Sequence, residues 1–267
     1  MVTGHFRVAV VQLRVDAAES VSDRRDRVEG LVADLGGRAD LVVLPELWES
    51  GAFATEASLQ AARSLEKVLP AWGSLARRSG VALHAGSFPE SDAGPGGSPR
   101  PRNTSVVVGS DGHLQATYRK IHLFGFDRGE ATDFHHGTEP VVWRSPWGPL
   151  GLATCYDLRF PELFRALTER GALGFLLPSG WPSARISHWQ VLARARAIEN
   201  QAFVIASNCV GTHNGVTMGG RSLVVDPHGD VLAEGGPDTE ETLMVDVDLG
   251  IATAWRAEFP ALKDRRL

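Results

Sequence analysis

Short apolar runs of strand length recur along this chain and alternate with stretches of helical periodicity, and that rhythm constrains the fold more than any other feature. Phe6 to Leu13 reads as a strand and Glu19 to Leu35 as a helix. They are followed by a buried strand at Leu41 to Leu44, a helix at Ser58 to Arg78 and a strand at Val81 to Phe88. Asn103 to Val108 and Leu114 to Ile121 pair around the Asp111-Gly112 turn. Val141 to Arg144 and Leu150 to Cys155 form another pair, bent at Pro146-Trp147-Gly148. Pro161 to Arg170 and Ser183 to Asn200 are predicted helices, with a strand at Leu173 to Leu177 between them. Phe203 to Ser207, Arg221 to Val225, Val231 to Ala233 and Thr242 to Val247 complete the strands. So many strands need both sheet faces covered, and helices lying on one face of each of two sheets achieve this economically. The expectation is one α/β domain over residues 1–267. Ser91 to Arg102, rich in Gly and Pro, reads as a surface loop rather than a linker, because strand-like sequence resumes at once. Phe124 to Gly137 is irregular, charged and rich in His, as expected of a functional loop.

Several function classes are disfavoured. A net charge of -5 and a pI near 6.0 leave no electrostatic footprint for nucleic acid. No continuous apolar stretch is long enough to span a membrane, and the N-terminus lacks the pattern of a secretory signal. Two cysteines, Cys155 and Cys209, fit a reducing compartment, although a single disulfide between them is compatible with the count. A soluble cytoplasmic enzyme or binding domain is expected.

The chemistry centres on L-G-L-A-T-C-Y-D-L-R-F-P-E, Leu150 to Glu162, where an apolar run stops on Cys155 and a helix starts at Pro161. A strand, a tight turn and a helix lift the sulfur out of the sheet edge; the plain alternative is a small buried packing cysteine. To attack a carbon–nitrogen bond, the thiol needs a base, a positive charge and donors for an oxyanion. Glu46 stands just past the apolar run Leu41 to Leu44, Lys120 lies in Tyr118-Arg119-Lys120-Ile121-His122 at another strand end, and Glu130 sits in the irregular loop. Taken singly, each reads as a capping or solvated charge. His122, His135, His136 and His188 occupy no pattern that demands an imidazole base, and no ligand spacing of the closed zinc type occurs. Cys209 lacks the turn-and-helix context and reads as packing.

The motifs in order are P-E at Pro45-Glu46, Y-R-K-I-H-L-F at Tyr118 to Phe124, Glu130, and C-Y-D-L-R-F-P-E-L at Cys155 to Leu163. Together with H-W-Q-V-L-A-R-A-R-A-I-E-N-Q and G-R-S-L-V-V-D-P-H-G-D-V-L-A-E, they resemble the nitrilase (carbon–nitrogen hydrolase) superfamily from Val8 to about Asp264. The resemblance implies a four-layer α-β-β-α sandwich and a homodimer formed through the helices beside the nucleophile. It implies Cys155 as nucleophile, Glu46 as general base, Lys120 with the Tyr156 N–H as oxyanion donors, and Glu130 orienting the triad and substrate. No metal or organic cofactor has a task in that scheme. H-L-F-G-F, S-G-W-P and W-R-A-E-F-P-A-L-K-D-R-R are more similar to the omega-amidase branch, which hydrolyses small carboxylate-bearing amides such as alpha-ketoglutaramate. Arg159, Arg185 and His188 are then candidate carboxylate anchors and Trp181 a pocket wall or a packing residue under the next helix. The open alternatives are an aliphatic amidase, a deaminated-glutathione amidase, an N-carbamoyl hydrolase, a nitrilase, or a non-catalytic binding protein on the same scaffold. Ser91 to Arg102 and Thr212 to Gly219 are candidates for closing over the pocket.

Overall fold

Residues His5–Arg14 alternate in what they bury: Phe6, Val8 and Val10 enter one core, while Ala9, Val11 and Leu13 enter another. This two-residue period is that of a strand covered on both faces. In the computed structural model, which describes residues 4–91 and 100–266, this strand, β1, is followed by α1 (Val21–Asp34), β2 (Leu41–Val43), α2 (Thr55–Gln60), α3 (Leu65–Ser79) and β3 (Ala82–Glu90). Next come β4 (Arg102–Val108), β5 (Leu114–Arg119), α4 (Glu130–Asp133), β6 (Val141–Ser145), β7 (Gly148–Leu152), α5 (Pro161–Glu169) and β8 (Gly174–Pro178). The chain continues through α6 (Ile186–Asn200), β9 (Phe203–Ser207), β10 (Cys209–Val210), β11 (Thr212–His213), β12 (Val216–Thr217), β13 (Leu223–Val225), β14 (Val231–Glu234), β15 (Glu241–Asp248) and α7 (Gly250–Glu258).

One sheet runs β10-β1-β2-β3-β4-β5, with β15 also paired to β1, and the other runs β14-β13-β9-β8-β7-β6. Inward side chains of the first sheet, among them Val8, Val10, Leu41 and Val43, share a core with the second sheet and with Phe164 of α5 and Trp189 of α6. Outward ones, Ala9, Val11, Val42 and Leu44, pack on Val28 and Val32 of α1 and Leu75 and Ala76 of α3. The layers are therefore α-β-β-α. The same parity places the site. Asn103, Ser105 and Val107 alternate onto the inter-sheet face of β4, and Tyr118 and Lys120 do so at the end of β5. Accordingly Val107 and Tyr118 join the inter-sheet core, and Ser105 Oγ meets Thr154 Oγ1 of the other sheet at 2.9 Å.

Some elements differ from the sequence reading. The helix expected over Ser58 to Arg78 is two, because the backbone of Arg63 leaves helical pairing to donate to Pro89 O at 3.1 Å and accept from Ser91 N–H at 3.0 Å. Ser64, extended at ψ 152°, then restarts the chain as the N-cap of α3. Ser183–Arg185 is a turn of 3-10 helix ahead of α6, the strand leading to Cys155 stops at Leu152, and the irregular loop contains the short α4. Helix α7 and strands β10 to β12 add to the predicted set. Of the expected loop Ser91 to Arg102, residues 92–99 lie outside the described residues. Among the described residues no helix is long and apolar enough to cross a membrane.

Candidate active site

Three residues beyond β7, Cys155 adopts φ 46°, a left-handed conformation that L-residues avoid and that folds hold by surrounding constraint. The constraint here is Asp157. Its side chain accepts from the Thr154 N–H at 2.8 Å in a capping box that opens the 3-10 turn Cys155–Arg159. The same carboxylate accepts the Tyr118 O–H at 2.6 Å and the His122 N–H at 3.0 Å, and meets His122 Nδ1 at 2.7 Å. The strand end that carries Lys120 is thereby fixed to the turn that carries Cys155.

Glu46 arrives from β2. Its Oε1 accepts from Lys120 Nζ at 2.8 Å and from Asn103 Nδ2 at 2.8 Å, while its Oε2 accepts the Gly180 N–H at 3.0 Å. Lys120 Nζ also donates to Glu130 Oε2 at 2.7 Å, which in turn accepts the Phe124 N–H at 2.9 Å. Asn103 Nδ2 closes the ring on Glu130 Oε1 at 2.6 Å. A Cβ on Gly180 would stand 2.2 Å from Ala52 Cβ, so the close backbone approach to Glu46 requires glycine.

The electrostatics follow from burial. Glu46 and Lys120 are each 2% exposed and Cys155 8%. Burial, and then the charge of Glu46, push the Cys155 thiol well above its ordinary value, against the opposing pull of Lys120. Cys155 therefore rests as a thiol within hydrogen-bonding reach of a carboxylate. Burial works against the Lys120 ammonium, but Glu130 and Glu46 together outweigh it and hold its pKa well above the usual value. Glu130 is raised by burial, partly offset by Lys120. A thiol, a neighbouring buried carboxylate and a fixed ammonium can pass a proton and stabilise an oxyanion.

Beside this cluster opens a cavity of about 750 Å³, walled by Phe53, Phe124, Phe126, Tyr156 and Trp181. Arg128, Arg159 and Arg185 also line it, and none of the three has a carboxylate partner among the described residues. Arg159 stacks 4.9 Å from the Trp181 ring and Arg185 5.4 Å from the Phe124 ring. Tyr156, Trp181, Arg159 and Arg185 thus reach the cavity with Glu46, Lys120, Cys155 and Glu130. Trp181 lines the cavity and also packs 5.7 Å from Trp189 of α6. His188 does not line the cavity; it is exposed on α6, where its Nδ1 lies 3.3 Å from Arg159 Nη2. The helical twist that turns Trp189 inward turns His188 out, so the structure does not bring His188 to the cavity wall with the other candidate anchors. Of the two loops considered for closure, only Thr212 to Gly219 is described throughout: Asn214 and Val216 of its hairpin line the cavity, and Asn214 Nδ2 donates to Phe53 O at 3.2 Å.

Sequence reasoning missed Asn103, Asp157 and Gly180. Asp157, three residues after Thr154, carried a capping-box signal. Asn103 carried a weaker one, an amide at the start of an apolar strand.

Residues 7–257 match the sequence model of the family described as carbon-nitrogen hydrolase. The chain is 42% identical over 268 residues to a 2-oxoglutaramate amidase of Paenarthrobacter nicotinovorans, covering 98% of this chain and 90% of that protein. It superposes with a TM-score of 0.88 on Saccharomyces cerevisiae Nit3, a member of branch 10 of the nitrilase superfamily, at 28% identity with 98% and 97% of the two chains covered. At a TM-score of 0.83 and 29% identity, covering 99% and 95%, it is also similar to a mutant of the amidase from Nesterenkonia sp. AN1 that carries the acetamide moiety of fluoroacetamide at its active-site cysteine.

Proposed function

The chain belongs to the carbon–nitrogen hydrolase family and is a hydrolase of carbon–nitrogen bonds other than peptide bonds, and from that premise we propose that it is an omega-amidase in which Cys155 is the nucleophile. Its substrate is the terminal amide of a small carboxylate-bearing amide such as alpha-ketoglutaramate, and its products are the acid and ammonia. The observation that carries the reading is the buried ring of Glu46, Lys120 and Glu130 at the Cys155 thiol, opening on a cavity with arginines that lack carboxylate partners.

Glu46 Oε2 takes the thiol proton as sulfur attacks the amide carbon, and the oxyanion is held by Lys120 Nζ and the Tyr156 N–H. On collapse of the tetrahedral intermediate the carbon–nitrogen bond breaks, Glu46 returns the proton to the departing ammonia, and a thioester remains on Cys155. Water, deprotonated by Glu46, attacks the thioester; the carbon–sulfur bond breaks, and acid and thiol are released. Glu130, hydrogen-bonded to both Lys120 and Asn103, orients the ammonium. Arg185 is the carboxylate anchor: its guanidinium makes no side-chain ion pair among the described residues, whereas Arg159 is engaged with His188.

The wider assignments rest on the same reading. The chain is one domain, because β15 pairs along β1 and joins its two ends. It is a homodimer, supported by exposed Val191 and Ile198 on α6 beside the nucleophile's layer. It works in the cytoplasm, as two free cysteines favour.

Ammonia release from alpha-ketoglutaramate, glutamine, a simple aliphatic amide and a carbamoyl amine, each with wild type and Cys155→Ala, tests the assignment. Turnover of the keto-acid amide alone, lost in the variant, supports the omega-amidase; Cys155-dependent turnover of another member overturns the substrate and keeps the chemistry. No ammonia from any of the four overturns both.

A further inference from the structure

Asn103 is neither charged nor on the cavity wall, yet its amide touches both carboxylates of the site. The side chain is 1% exposed at the start of β4, where its backbone carbonyl also accepts the Lys120 N–H at 2.9 Å. Nδ2 donates to Glu46 Oε1 at 2.8 Å and to Glu130 Oε1 at 2.6 Å. Turning the amide over would face Oδ1 toward two carboxylates, so the charges themselves fix its orientation. The fixed orientation leaves Oδ1 buried with no hydrogen-bond partner among the described residues, a cost the fold accepts to keep the donor on the acids.

The two oxygens of Glu46 are thus unlike. Oε1 is saturated by Lys120 Nζ and Asn103 Nδ2, while Oε2 accepts from the Gly180 N–H, a backbone amide that also bears on the Cys155 thiol. Removing a donor from a buried carboxylate makes it hold a proton more tightly. It would also free Glu46 to swing about its last bond and present either oxygen.

On the reading that Glu46 is the base and Glu130 its partner, we infer that Asn103 is a positioning residue that locks Glu46 Oε1 and leaves Oε2 as the proton-accepting atom, so that it sets the pH range in which Cys155 is activated. It does so through hydrogen bonds to two acids at once, which a residue filling the same space without a donor cannot replace.

The test is the pH profile of kcat/KM for ammonia release, measured for wild type, Asn103→Leu and Asn103→Asp, with the pH dependence of Cys155 alkylation by iodoacetamide as a readout that needs no substrate. Leu fills the space without a donor; Asp keeps the shape and replaces the amide with a third carboxylate. The acid limb of both profiles is expected to move up by about one pH unit in Asn103→Leu, a tenfold loss on that limb. Asn103→Asp is expected to lose still more activity while remaining folded by circular dichroism. A structural role alone would lower the active fraction and leave the limb where it was. An unmoved acid limb in folded Asn103→Leu overturns the inference while leaving the amidase intact. A wild type without Cys155-dependent hydrolysis or thiol reactivity overturns the reading beneath it, and the inference with it. Should Asn103→Leu fail to fold, Asn103→Asp carries the decision: wild-type kcat/KM in it would overturn the inference.

Discussion

The phenol of Tyr118 donates to the Asp157 carboxylate at 2.6 Å, joining a residue two positions before Lys120 to one two positions after Cys155. Both side chains are inaccessible to solvent. The bond therefore sets the separation of the proposed ammonium and nucleophile across the two sheets, and burial together with the Asp157 charge keeps the phenol protonated as the donor.

Tyr118→Phe removes that donor and keeps the ring. It is expected to cost roughly 1–3 kcal/mol of stability, because Asp157 is left with one fewer partner in the interior. A drop in kcat of about tenfold is expected with it, for loosened alignment. Thermal unfolding and steady-state kinetics check both, and an unchanged kcat would detach Asp157 from the reaction.

Arg185→Ala is expected to raise KM for alpha-ketoglutaramate by roughly 30- to 100-fold, the loss of a charge-assisted bond to the substrate carboxylate. A neutral aliphatic amide should be nearly unaffected. Equal losses on both substrates would remove Arg185 as the anchor.

Two histidines outside the reaction govern acid stability. Burial lowers His84 and His213 from 6.5 to about 4 each. A depressed histidine means that the unfolded chain takes up the proton first, so the stability these residues contribute is complete above pH 6.5. It is lost as pH falls from there toward 4, by up to about 3 kcal/mol each. The melting temperature should fall across this window. Among the described residues His84 has no hydrogen-bond partner on either ring nitrogen, so His84→Leu should flatten part of the decline without destabilising the protein at neutral pH.

The two cysteines should differ sharply toward alkylation. Burial raises both thiols, but Cys155 opens on the cavity beside Glu46 and Lys120, whereas Cys209 is 0% exposed. Iodoacetamide should label Cys155 about a hundredfold faster, read by peptide mass. Comparable rates would mean that Cys155 is not activated.

Cys155, Glu46 and Lys120 each follow an apolar run, which taken singly left them as packing or solvated groups; it was the order of their motifs that led to the expectation of one cluster, and they do lie together. The layers were legible within single strands: Leu41 and Val42 serve different cores by parity alone. Asn103 was not, because its importance comes from meeting Glu46, 57 residues away beyond the end of β2, and Glu130 in the loop beyond β5, a convergence that no local pattern encodes. The break at Arg63 was hidden likewise, its backbone being claimed by Pro89 and Ser91 at the end of β3. Whether His188 would reach the cavity was not legible either, because it depends on which face of α6 packs inward, and the helix puts His188 and Trp189 on different faces.

The central claim is a thioester on Cys155, and its most direct test is partitioning with hydroxylamine. Alpha-ketoglutaramate and an ester of the same acyl group are turned over with increasing hydroxylamine, and the ratio of hydroxamate to acid is measured. A common acyl-enzyme predicts the same ratio from both substrates at every hydroxylamine concentration, with both products lost in Cys155→Ala. A ratio that depends on the leaving group, or hydroxamate that persists without Cys155, would contradict it.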